Sequence, residues 1–358
     1  ASDYNTGWMH GDCKGAFLSD TDTTNAVGTE LVTGWVNGST YAYDTLNTSG
    51  STITSAISDG SDFAGAVTNA MSFTAGKKYV ASFSLTINSG SVLSFVFFGT
   101  NQSGGGSLSL GNHLTNIGSG SHSITFTAPS TGTYYLIMQS NNGSAENFTT
   151  GSVSVRLAEE DRSVNNNGLQ VFGTVTKTPV ATGADLVGYS GFSVSNYVKQ
   201  PFNATTMNHG TGDFCYVMWV NIDASGTDSQ TFVDRSSSNG GTGNPRIRIH
   251  KHNNGVFRFY TNGGSVVNTT NLENIGWTHL ACVRRGSTTE VWVNGYLENT
   301  GSSSTDFTST QGQIQIGLDG DGTDPLTAGS ITLVRVSNSA PSAEQVKKMY
   351  EDEKCLFH

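Results

Sequence analysis

Three carboxylates lie close together in one glycine-containing segment near the carboxyl end of the chain. Asp319, Asp321 and Asp324 fall within the run Asp-Gly-Asp-Gly-Thr-Asp. A flexible loop of this kind can gather carboxylate oxygens, which are the ligands that calcium prefers. The spacing differs from that of an EF-hand, and Asp-Gly pairs also form turns for purely conformational reasons. The run therefore indicates either a calcium site, with Asp234 or Asn239 completing the ligands, or an ordinary turn.

Aromatic and amide side chains at expected loop edges form a second group of candidates. A sugar ring has an apolar face, which stacks on aromatic rings, and polar edges, which hydrogen-bond to amides and carboxylates. The residues that offer this chemistry are Asn239, Tyr260 and Asn262 in the second half of the chain and Trp35, Tyr41 and Tyr43 in the first. They are candidate carbohydrate-binding residues, and partial packing into the fold is the alternative for each.

No set of residues in the sequence has the spacing of a catalytic centre. Glu159, Glu160 and Asp161 are adjacent, which predicts a solvated charge run in a linker rather than an acid–base pair. His250 and His252 lie two residues apart on one predicted strand and point to the same side, but they lack a third metal ligand. We therefore expect a protein without enzymatic activity, for which calcium is the one candidate cofactor.

Charge and hydropathy exclude several classes of function. The chain of 358 residues carries 28 acidic and 18 basic residues, for a net charge of −10. No Lys and Arg cluster interleaves with aromatic residues in the manner of a nucleic-acid groove. No apolar run approaches the roughly 20 residues that cross a bilayer. We therefore expect no nucleic-acid partner and no insertion into a membrane.

The cysteines are few and widely separated: Cys13, Cys215, Cys282 and Cys355. Two of them lie inside apolar, strand-like runs, where a free thiol packs like a small hydrophobic side chain. Reduced thiols are favoured, as in a protein folded in a reducing cytoplasm and then used outside, with a Cys215–Cys282 pair as the alternative. His279, also in a strand-like run, is expected to have an architectural role.

The spacing of apolar residues predicts an all-β protein. Gly numbers 44 and charged residues make up only 13% of the chain, a composition typical of short strands and many turns. In residues 79–87 every second position is apolar, which places one face of a strand in a core. A single helix is predicted over residues 342–351, where Val346, Met349 and Tyr350 share one side. The expected fold is two consecutive antiparallel β-sandwich, or jelly-roll, domains with a short C-terminal helix.

Composition shifts predict where the domains begin and end. Residues 1–30 have too few alternating apolar positions for a domain and are expected to form an N-terminal connector. Residues 31–157 are expected to form the first sandwich. Residues 158–186 are charged and then Asn-rich, which is typical of a joint, and they include the first strand of the next domain. Residues 187–358 form the second predicted sandwich with its terminal helix.

Five motifs in the second half of the chain resemble, in the same order, those of laminin G-like domains, which have a concanavalin A-like lectin fold. The motifs are GDFCYVMWVN at 212–221, WTHLACV at 277–283, VWVNG at 291–295, QIQIG at 313–317 and ITLVRV at 331–336. Asn294 and Gly295 between two apolar runs also fit a two-residue hairpin, in which Gly supplies the positive φ. The resemblance implies a lectin-like sandwich for this half of the chain.

The joint sequence and the ending EQVKKMYEDEK resemble repeated units in virion proteins of tailed phages, particularly tail-fibre-like proteins of marine phages. In those proteins a carbohydrate-binding-module-like jelly roll precedes the laminin G-like unit, and residues 31–157 occupy that position. The resemblance implies a virion-surface protein, made in the host cytoplasm, that binds host-surface glycans for attachment. It also implies contacts with other virion proteins and a homo-oligomer, for which we expect a trimer.

Two other functions agree with the same sequence. One is a capsid decoration or head-fibre protein, whose sandwiches make structural contacts with other proteins. The other is the non-catalytic, glycan-targeting part of a hydrolase. Loops decide specificity on a shared sandwich scaffold, so the sequence does not distinguish which sugar, if any, is bound.

Overall fold

The computed structural model describes residues 13–104, 111–143, 145–201, 208–224, 226, 228–236, 245–262, 266–309 and 312–357. The chain divides into two compact units. The small unit is Thr29–Ala158, and the large unit combines the residues up to Gly28 with those from Glu159 onward. Both units consist of antiparallel sheets in a sandwich-like arrangement, which confirms the predicted all-β fold class.

The strands before the small unit are β1 (Cys13–Phe17) and β2 (Ala26–Gly28). The strands of the small unit are β3 (Trp35–Asn37), β4 (Thr45–Ser49), β5 (Thr52–Ser58), β6 (Gly65–Thr68), β7 (Met71–Phe73), β8 (Lys78–Ser89), β9 (Leu93–Gly99), β10 (His113–Ile117), β11 (Gly120–Thr127), β12 (Gly132–Gln139), β13 (Glu146–Thr150) and β14 (Ser154–Glu159). The later strands are β15 (Leu169–Pro179), β16 (Val187–Ser190), β17 (Tyr197–Gln200), β18 (Phe214–Ile222), β19 (Gln230–Ser236), β20 (Ile247–Lys251), β21 (Val256–Thr261), β22 (Val267–Asn271), β23 (Thr278–Arg285), β24 (Thr288–Val293), β25 (Tyr296–Ser302), β26 (Gln313–Ile316) and β27 (Gly329–Ser337). The helix α1 is Ala343–Glu353, and short 3-10 turns are Asn253–Gly255 and Lys354–Phe357.

In the small unit, one sheet runs β4–β5–β13–β8–β11, and β14 pairs with the other end of β8. The other sheet runs β3–β6–β12–β9–β10, with β7 on β12. Alternation along β8 buries Phe83 and Leu85 while Ser84 and Thr86 face outward. Rings from both sheets meet in the core, where Phe73 stacks on Tyr79 with centroids 3.8 Å apart. Burying such side chains is the main source of stability for this unit.

In the large unit, two sheets share one long strand. The first sheet runs β15–β16–β27–β18–β23–β24–β25, with β1 on the end of β27. The second sheet runs β15–β17–β26–β19–β20–β21–β22, and β2 pairs with the middle of β15. β15 crosses from one sheet to the other at Gly173, whose φ is +62°. A Cβ at this position would lie 2.5 Å from the carbonyl oxygen of Ser195, so the crossing requires glycine.

The first sheet is buried on both faces. Its central strand, β18, is accordingly apolar at nearly every position. In β18 the even-numbered side chains, such as Tyr216 and Met218, face the core between the sheets. The odd-numbered ones, such as Val217, face the helix α1. Alternation places neighbouring residues on opposite faces, so a continuous apolar run is what a doubly covered strand requires.

The predicted helix is confirmed, and it lies on the outer face of the first sheet. Ser342 caps its amino end in a capping box with Gln345, which satisfies backbone donors that the first turn leaves free. Val346 and Met349 are fully buried against the sheet. The predicted hairpin at Asn294 is confirmed as well, because Val293 pairs with Tyr296 across two residues of positive φ.

The expected connector is corrected by the structure, because its described part belongs to the large unit. Within residues 1–30, β1 pairs with β27 and β2 pairs with β15. Phe17 is buried in the core between the sheets, whereas Cys13 is buried among the residues that face α1, and the pairing with β27 shifts register between Cys13 and Gly15. The signal was missed because five residues are too few to show a period, and the partner strand lies more than 300 residues away. Among the described helices, none has the length and apolar character needed to span a membrane.

Candidate functional site

The outer face of the second sheet of the large unit carries most of the polar side chains that the sequence singled out. On its strands β20 and β21, the side chains that face the core are Ile247, Ile249, Phe257 and Phe259. Those on the opposite, outer face are Arg248, His250, Arg258 and Tyr260. The first sheet is covered by α1 on its outer face, and here the second sheet presents charged and hydrogen-bonding groups instead.

A row of hydrogen-bonding side chains crosses this face from strand to strand. Register aligns the row in the order Gln170 on β15, Lys199 on β17, Gln315 on β26, Asp234 on β19, Arg248 on β20 and Tyr260 on β21. Directly opposite residues in antiparallel pairs lie about 4.5–5.5 Å apart, close enough to interact. The row is therefore one continuous polar strip built by strand pairing.

The acidic loop of residues 319–324 lies over this strip. The backbone N–H of Gly320 donates to Asp234 Oδ2 at 2.7 Å, and Gln315 Nε2 donates to the carbonyl oxygen of Asp319 at 2.8 Å. The Asp319 carboxylate accepts backbone N–H groups of Thr323 and Asp324 at 2.8 and 3.1 Å. Burial works to raise the pKa of Asp319, but these donors and the nearby arginines outweigh it and lower the pKa, so the group stays ionised.

Arg246 joins the loop to the sheet. Its Nε donates to both carboxylate oxygens of Asp234, at 3.1 and 3.0 Å, and its Nη2 also contacts Asp234. The same guanidinium lies 3.4 Å from Asp319 and 3.5 Å from Asp321. Burial opposes its charge, but hydrogen bonding to Asp234 raises the pKa of Arg246. The fork geometry of a guanidinium suits this arrangement, which a lysine would not reproduce.

Arg248, two residues after Arg246, also contacts a carboxylate of the acidic loop. Its Nη2 donates to Asp324 Oδ2 at 2.6 Å and to Thr231 Oγ1 at 2.8 Å. Ser229 Oγ donates to the same Asp324 oxygen at 3.1 Å. The carboxylates of the loop are thus held by arginines from the sheet.

This geometry bears on the calcium hypothesis. Asp319 and Asp324 each have a guanidinium or backbone N–H partner, and Asp234 lies against Arg246. Within the described part of the chain, no three His, Cys, Asp or Glu side chains are placed to hold a metal ion. The arrangement favours the ordinary-turn alternative, and calcium binding by Asp319, Asp321 and Asp324 stays a prediction.

The predicted sugar-binding residues of the second half lie beside this cluster. Tyr260 is the cross-strand neighbour of Arg248, and Asn262 Nδ2 lies 3.5 Å from Tyr260 Oη. Both side chains are half-buried. Asn239 lies outside the described residues. The structure therefore places two of the candidate sugar residues, Tyr260 and Asn262, on the same face as the candidate metal residues of the acidic loop.

In the small unit, two of the three predicted sugar-binding aromatics are corrected. Trp35 is only 6% exposed, and its Nε1 donates to the carbonyl oxygen of Ser51 at 3.0 Å. Tyr43 is 2% exposed and packs edge-to-face on Phe148 in the core. Tyr41 is exposed. The turn-like neighbours of Tyr43 suggested a loop edge, but its ring points inward.

The charge run at the joint is also corrected. Glu159 and Asp161 are buried rather than solvated. Lys177 Nζ lies 2.8 Å from Glu159, and Tyr189 Oη donates to the same carboxylate at 2.8 Å. Asp161 accepts the backbone N–H of Ala16 at 2.9 Å, which ties β1 to the residues that follow the small unit. These carboxylates therefore have structural partners.

Two arginines of the site were missed by the sequence analysis. Arg246 and Arg248 belong to the run Arg-Ile-Arg-Ile-His, whose strict alternation predicts one charged face and one apolar face. The same alternation was applied only to His250 and His252, as possible metal ligands. The pairing of Arg246 with Asp319 joins residues 73 apart in the chain, which no local pattern indicates.

Comparison with known proteins supports the lectin-like assignment. Residues 191–347 match the laminin G-type family model described as the concanavalin A-like lectin/glucanases superfamily. The matched segment contains β17 to β27 and the start of α1, which includes the charged face. No curated protein matches the chain.

Several solved structures are similar at low sequence identity. One is domain 4 of an extracellular arabinanase from Geobacillus stearothermophilus in complex with arabinotriose, at 15% identity over 53% of this chain and 92% of that chain, with a TM-score of 0.41. Another is the receptor-binding domain of a botulinum neurotoxin C/D mosaic serotype, at 14% identity over 55% of this chain and 49% of that chain, with a TM-score of 0.41. A third is the Trypanosoma rangeli sialidase in complex with the inhibitor DANA, at 14% identity over 56% and 32%, with a TM-score of 0.42. The chain thus spans about half the length of the toxin domain, and the superfamily match above carries the assignment.

Proposed function

We propose that the chain is a non-enzymatic glycan-binding protein, and that the outer face of the second sheet of the large unit is its binding surface. The observation that carries this proposal is the polar strip that ends at Tyr260, on a face that α1 leaves open, in a domain that matches a lectin superfamily model.

The chemistry of the face suits a sugar. Hydroxyl groups need both donors and acceptors, and the strip supplies guanidinium, carboxylate and amide groups side by side. Tyr260 adds an aromatic ring for the apolar face of a pyranose. Arg246 and Arg248 hold the carboxylates of the loop in place, so little side-chain entropy remains to be lost on binding.

The same contacts support a role without catalysis. A glycosidase needs one carboxylic acid and one carboxylate that are free to act on the substrate. On this face Asp234, Asp319 and Asp324 each lie against an arginine. Burial raises the pKa of Asp234, but its carboxylate contacts Arg246 and its side chain is only 1% exposed, so it is not free to act on a substrate. This is the arrangement of a rigid recognition surface.

The finer proposal is attachment of a tailed phage to its host. It rests on the sequence resemblance to tail-fibre-like virion proteins, and it places the chain on the virion surface in a homo-oligomer, with a trimer expected, beside other virion proteins. The decoration-protein alternative is retained for a chain that binds no glycan.

The test compares the full chain with two matched tyrosine variants on an array of bacterial surface polysaccharides. Tyr260→Ala removes the ring at the end of the strip, and Tyr296→Ala removes an exposed ring from β25 of the first sheet. We expect the natural chain and Tyr296→Ala to bind the same polysaccharides, and Tyr260→Ala to lose about ten-fold or more in affinity. Equal binding by both variants would place the site elsewhere, and absence of binding by the natural chain would favour the decoration role.

A further inference from the structure

The hairpin of β20 and β21 has an unusual charge for this protein. Residues 245–260 contain four Arg or Lys residues and two His residues but no Asp or Glu, in a chain with 28 acidic and 18 basic residues. Strand alternation places Arg248, His250 and Arg258 on the outer face. This basic cluster is not apparent in the sequence, because it forms only when β20 and β21 pair.

Most of these cations are neutralised by named partners. Arg246 and Arg248 contact the carboxylates of the acidic loop, and Lys251 Nζ lies 2.5 Å from Glu273. Arg258 differs from them. Its Nε donates to Asn268 Oδ1 at 3.0 Å, and within the described residues no carboxylate lies within 4 Å of its guanidinium.

The undescribed residues near this hairpin in the sequence contain no acid, although residues 1–12 contain Asp3 and Asp12. Between positions 202 and 311 they include neither Asp nor Glu. Partial burial alone lowers the pKa of Arg258, with no acidic neighbour opposing it. Both Nη groups of this guanidinium form the planar fork that binds carboxylate or sulfate through two parallel hydrogen bonds.

His250 is a second, independent sign of a binding position. It is the cross-strand neighbour of Arg258, is only 7% exposed, and its Nδ1 has no hydrogen-bond partner among the described residues. Burial first, and then Arg248, His252 and Arg258, lower the pKa of His250 to about 2. The imidazole is therefore neutral, and Arg258 across the strand pair is a cation without a carboxylate within 4 Å among the described residues, which gives this position a positive potential that attracts an anion.

Tyr260 lies on the same face of the same strand, two residues from Arg258. This spacing is about 7 Å along a strand, so one monosaccharide and its substituent can contact both side chains. Asn268 on β22 holds the guanidinium from the other side. An aromatic ring, an amide and a guanidinium that contacts no carboxylate among the described residues thus occupy neighbouring positions.

We propose that Arg258, with Tyr260, Asn268 and His250 beside it, binds the anionic substituent of an acidic glycan. This inference rests on the proposed function and gives its ligand class: sugars that carry a carboxylate or a sulfate. Arg258 contacts the anion and Tyr260 contacts the ring that carries it. The loop carboxylate of Asp324 contacts Arg248 on the neighbouring strand β20.

The test uses pairs of polysaccharides that differ in charge alone. Polygalacturonate is compared with its carboxyl-reduced form, and dextran sulfate with dextran, by biolayer interferometry on the full chain. We expect the anionic member of at least one pair to bind about ten-fold more tightly than its neutral partner, and the difference to shrink with salt. The preferred pair distinguishes a carboxylate from a sulfate ligand.

Variants then assign the preference to Arg258. Arg258→Gln is expected to lose about ten-fold in affinity for the anionic probe, and Arg258→Lys to keep part of it because the charge remains while the fork is lost. Arg285→Gln, which removes a half-exposed arginine from the first sheet, is the matched control and is expected to bind like the natural chain. Equal melting temperatures of the three variants establish that folding is intact.

Three outcomes overturn the inference. Equal affinity for charged and neutral members of both pairs would remove the acidic ligand class but leave glycan binding in place. If Arg258→Gln and Arg285→Gln reduce the charge preference equally, the preference arises from the overall charge of the chain and not from Arg258. Absence of binding to all four probes also overturns it, and the polysaccharide array then decides the proposed function separately.

Discussion

The two outer faces of the large unit are built by the same strand alternation and serve different ends. On the first sheet, α1 covers apolar side chains and one ion pair, in which Arg335 contacts Glu353 at 2.5 and 2.8 Å. On the second sheet, Arg246 and Arg248 meet carboxylates of a loop that is itself partly exposed. On the covered face the ion pair of Arg335 and Glu353 holds α1 against the sheet. On the open face, Arg246, Asp234 and Asp319 are also buried, but Asp321 and Asp324 stay in contact with solvent, with side chains 30% and 31% exposed.

Removing the buried ion pair of the covered face is expected to have the largest effect. Glu353→Ala leaves Arg335 buried without a carboxylate and deprives Trp219 Nε1 of its acceptor at 2.8 Å. Breaking a buried pair in this way costs about 3–5 kcal/mol of the free energy of unfolding. Urea unfolding followed by tryptophan fluorescence measures it.

The adjacent residue provides the control for that variant. Asp352 pairs with Lys348 on the exposed side of the same helix, at 2.7 Å. Asp352→Ala is expected to cost under about 1 kcal/mol, as for other surface pairs. If both variants cost the same, α1 does not depend on the buried pair and the contrast between the faces weakens.

A pH-dependent effect of intermediate size is expected at His279, which lies under the same helix. Burial, and then Arg335, lower the pKa of His279 to about 3, and neither ring nitrogen has a hydrogen-bond partner among the described residues. The unfolded chain therefore binds a proton below pH ~6.5 that the folded chain does not, so acid favours unfolding. This group alone removes about 1.4 kcal/mol of stability per pH unit as pH falls from 6.5 towards 3.

His279→Phe isolates this contribution, because it keeps a ring between Trp219 and Tyr350 and cannot titrate. At pH 7 the unfolding free energy of the variant is expected to lie within about 1 kcal/mol of that of the natural chain. From pH 7 to pH 5 the natural chain is expected to lose about 2 kcal/mol more of this free energy than the variant does. Urea midpoints at the two pH values give the difference. Parallel pH dependence of the two proteins would mean that His279 is protonated or hydrated in the fold.

The open face is expected to respond more weakly in stability and more strongly in binding. Arg248→Met removes the contact with Asp324, whose side chain is about a third exposed, and water can solvate the remaining carboxylate. A loss of about 1 kcal/mol in unfolding free energy is expected. Polysaccharide binding in the proposed array is expected to fall at the same time. A loss near that of Glu353→Ala would show that Arg248 is a structural anchor like Arg335.

The sheets and the helix were predictable because their signals are local. Alternation in residues 79–87 and the i, i+3 spacing of Val346 and Met349 each report which side of an element is buried. The hairpin at Asn294 follows from two residues alone. Residues 13–28 were not assigned to the large unit because β1 and β2 are short and their partners lie far along the chain.

The site was predictable only in parts. Tyr260, Asn262 and the acidic loop were found by residue type, but their common face follows from the register of β20, β21 and β26, which a sequence does not show. Tyr43 was misplaced because a residue beside turn signals can still send its ring inward. Glu159 was misread because its partners, Lys177 and Tyr189, come from strands that follow it.

The smallest effect is expected at Asp321, and it separates the two interpretations of the acidic loop. Its carboxylate lies 3.5 Å from Arg246, which already contacts Asp234 and Asp319, and its side chain is 30% exposed. Asp321→Asn should therefore change the unfolding free energy by no more than about 0.5 kcal/mol. With arginines in place of a metal, both proteins should melt at the same temperature in calcium and in EDTA. A calcium-dependent rise in the natural chain that Asp321→Asn abolishes would instead make this residue a ligand, and the open face would then owe its order to an ion, whereas the covered face owes its order to a helix.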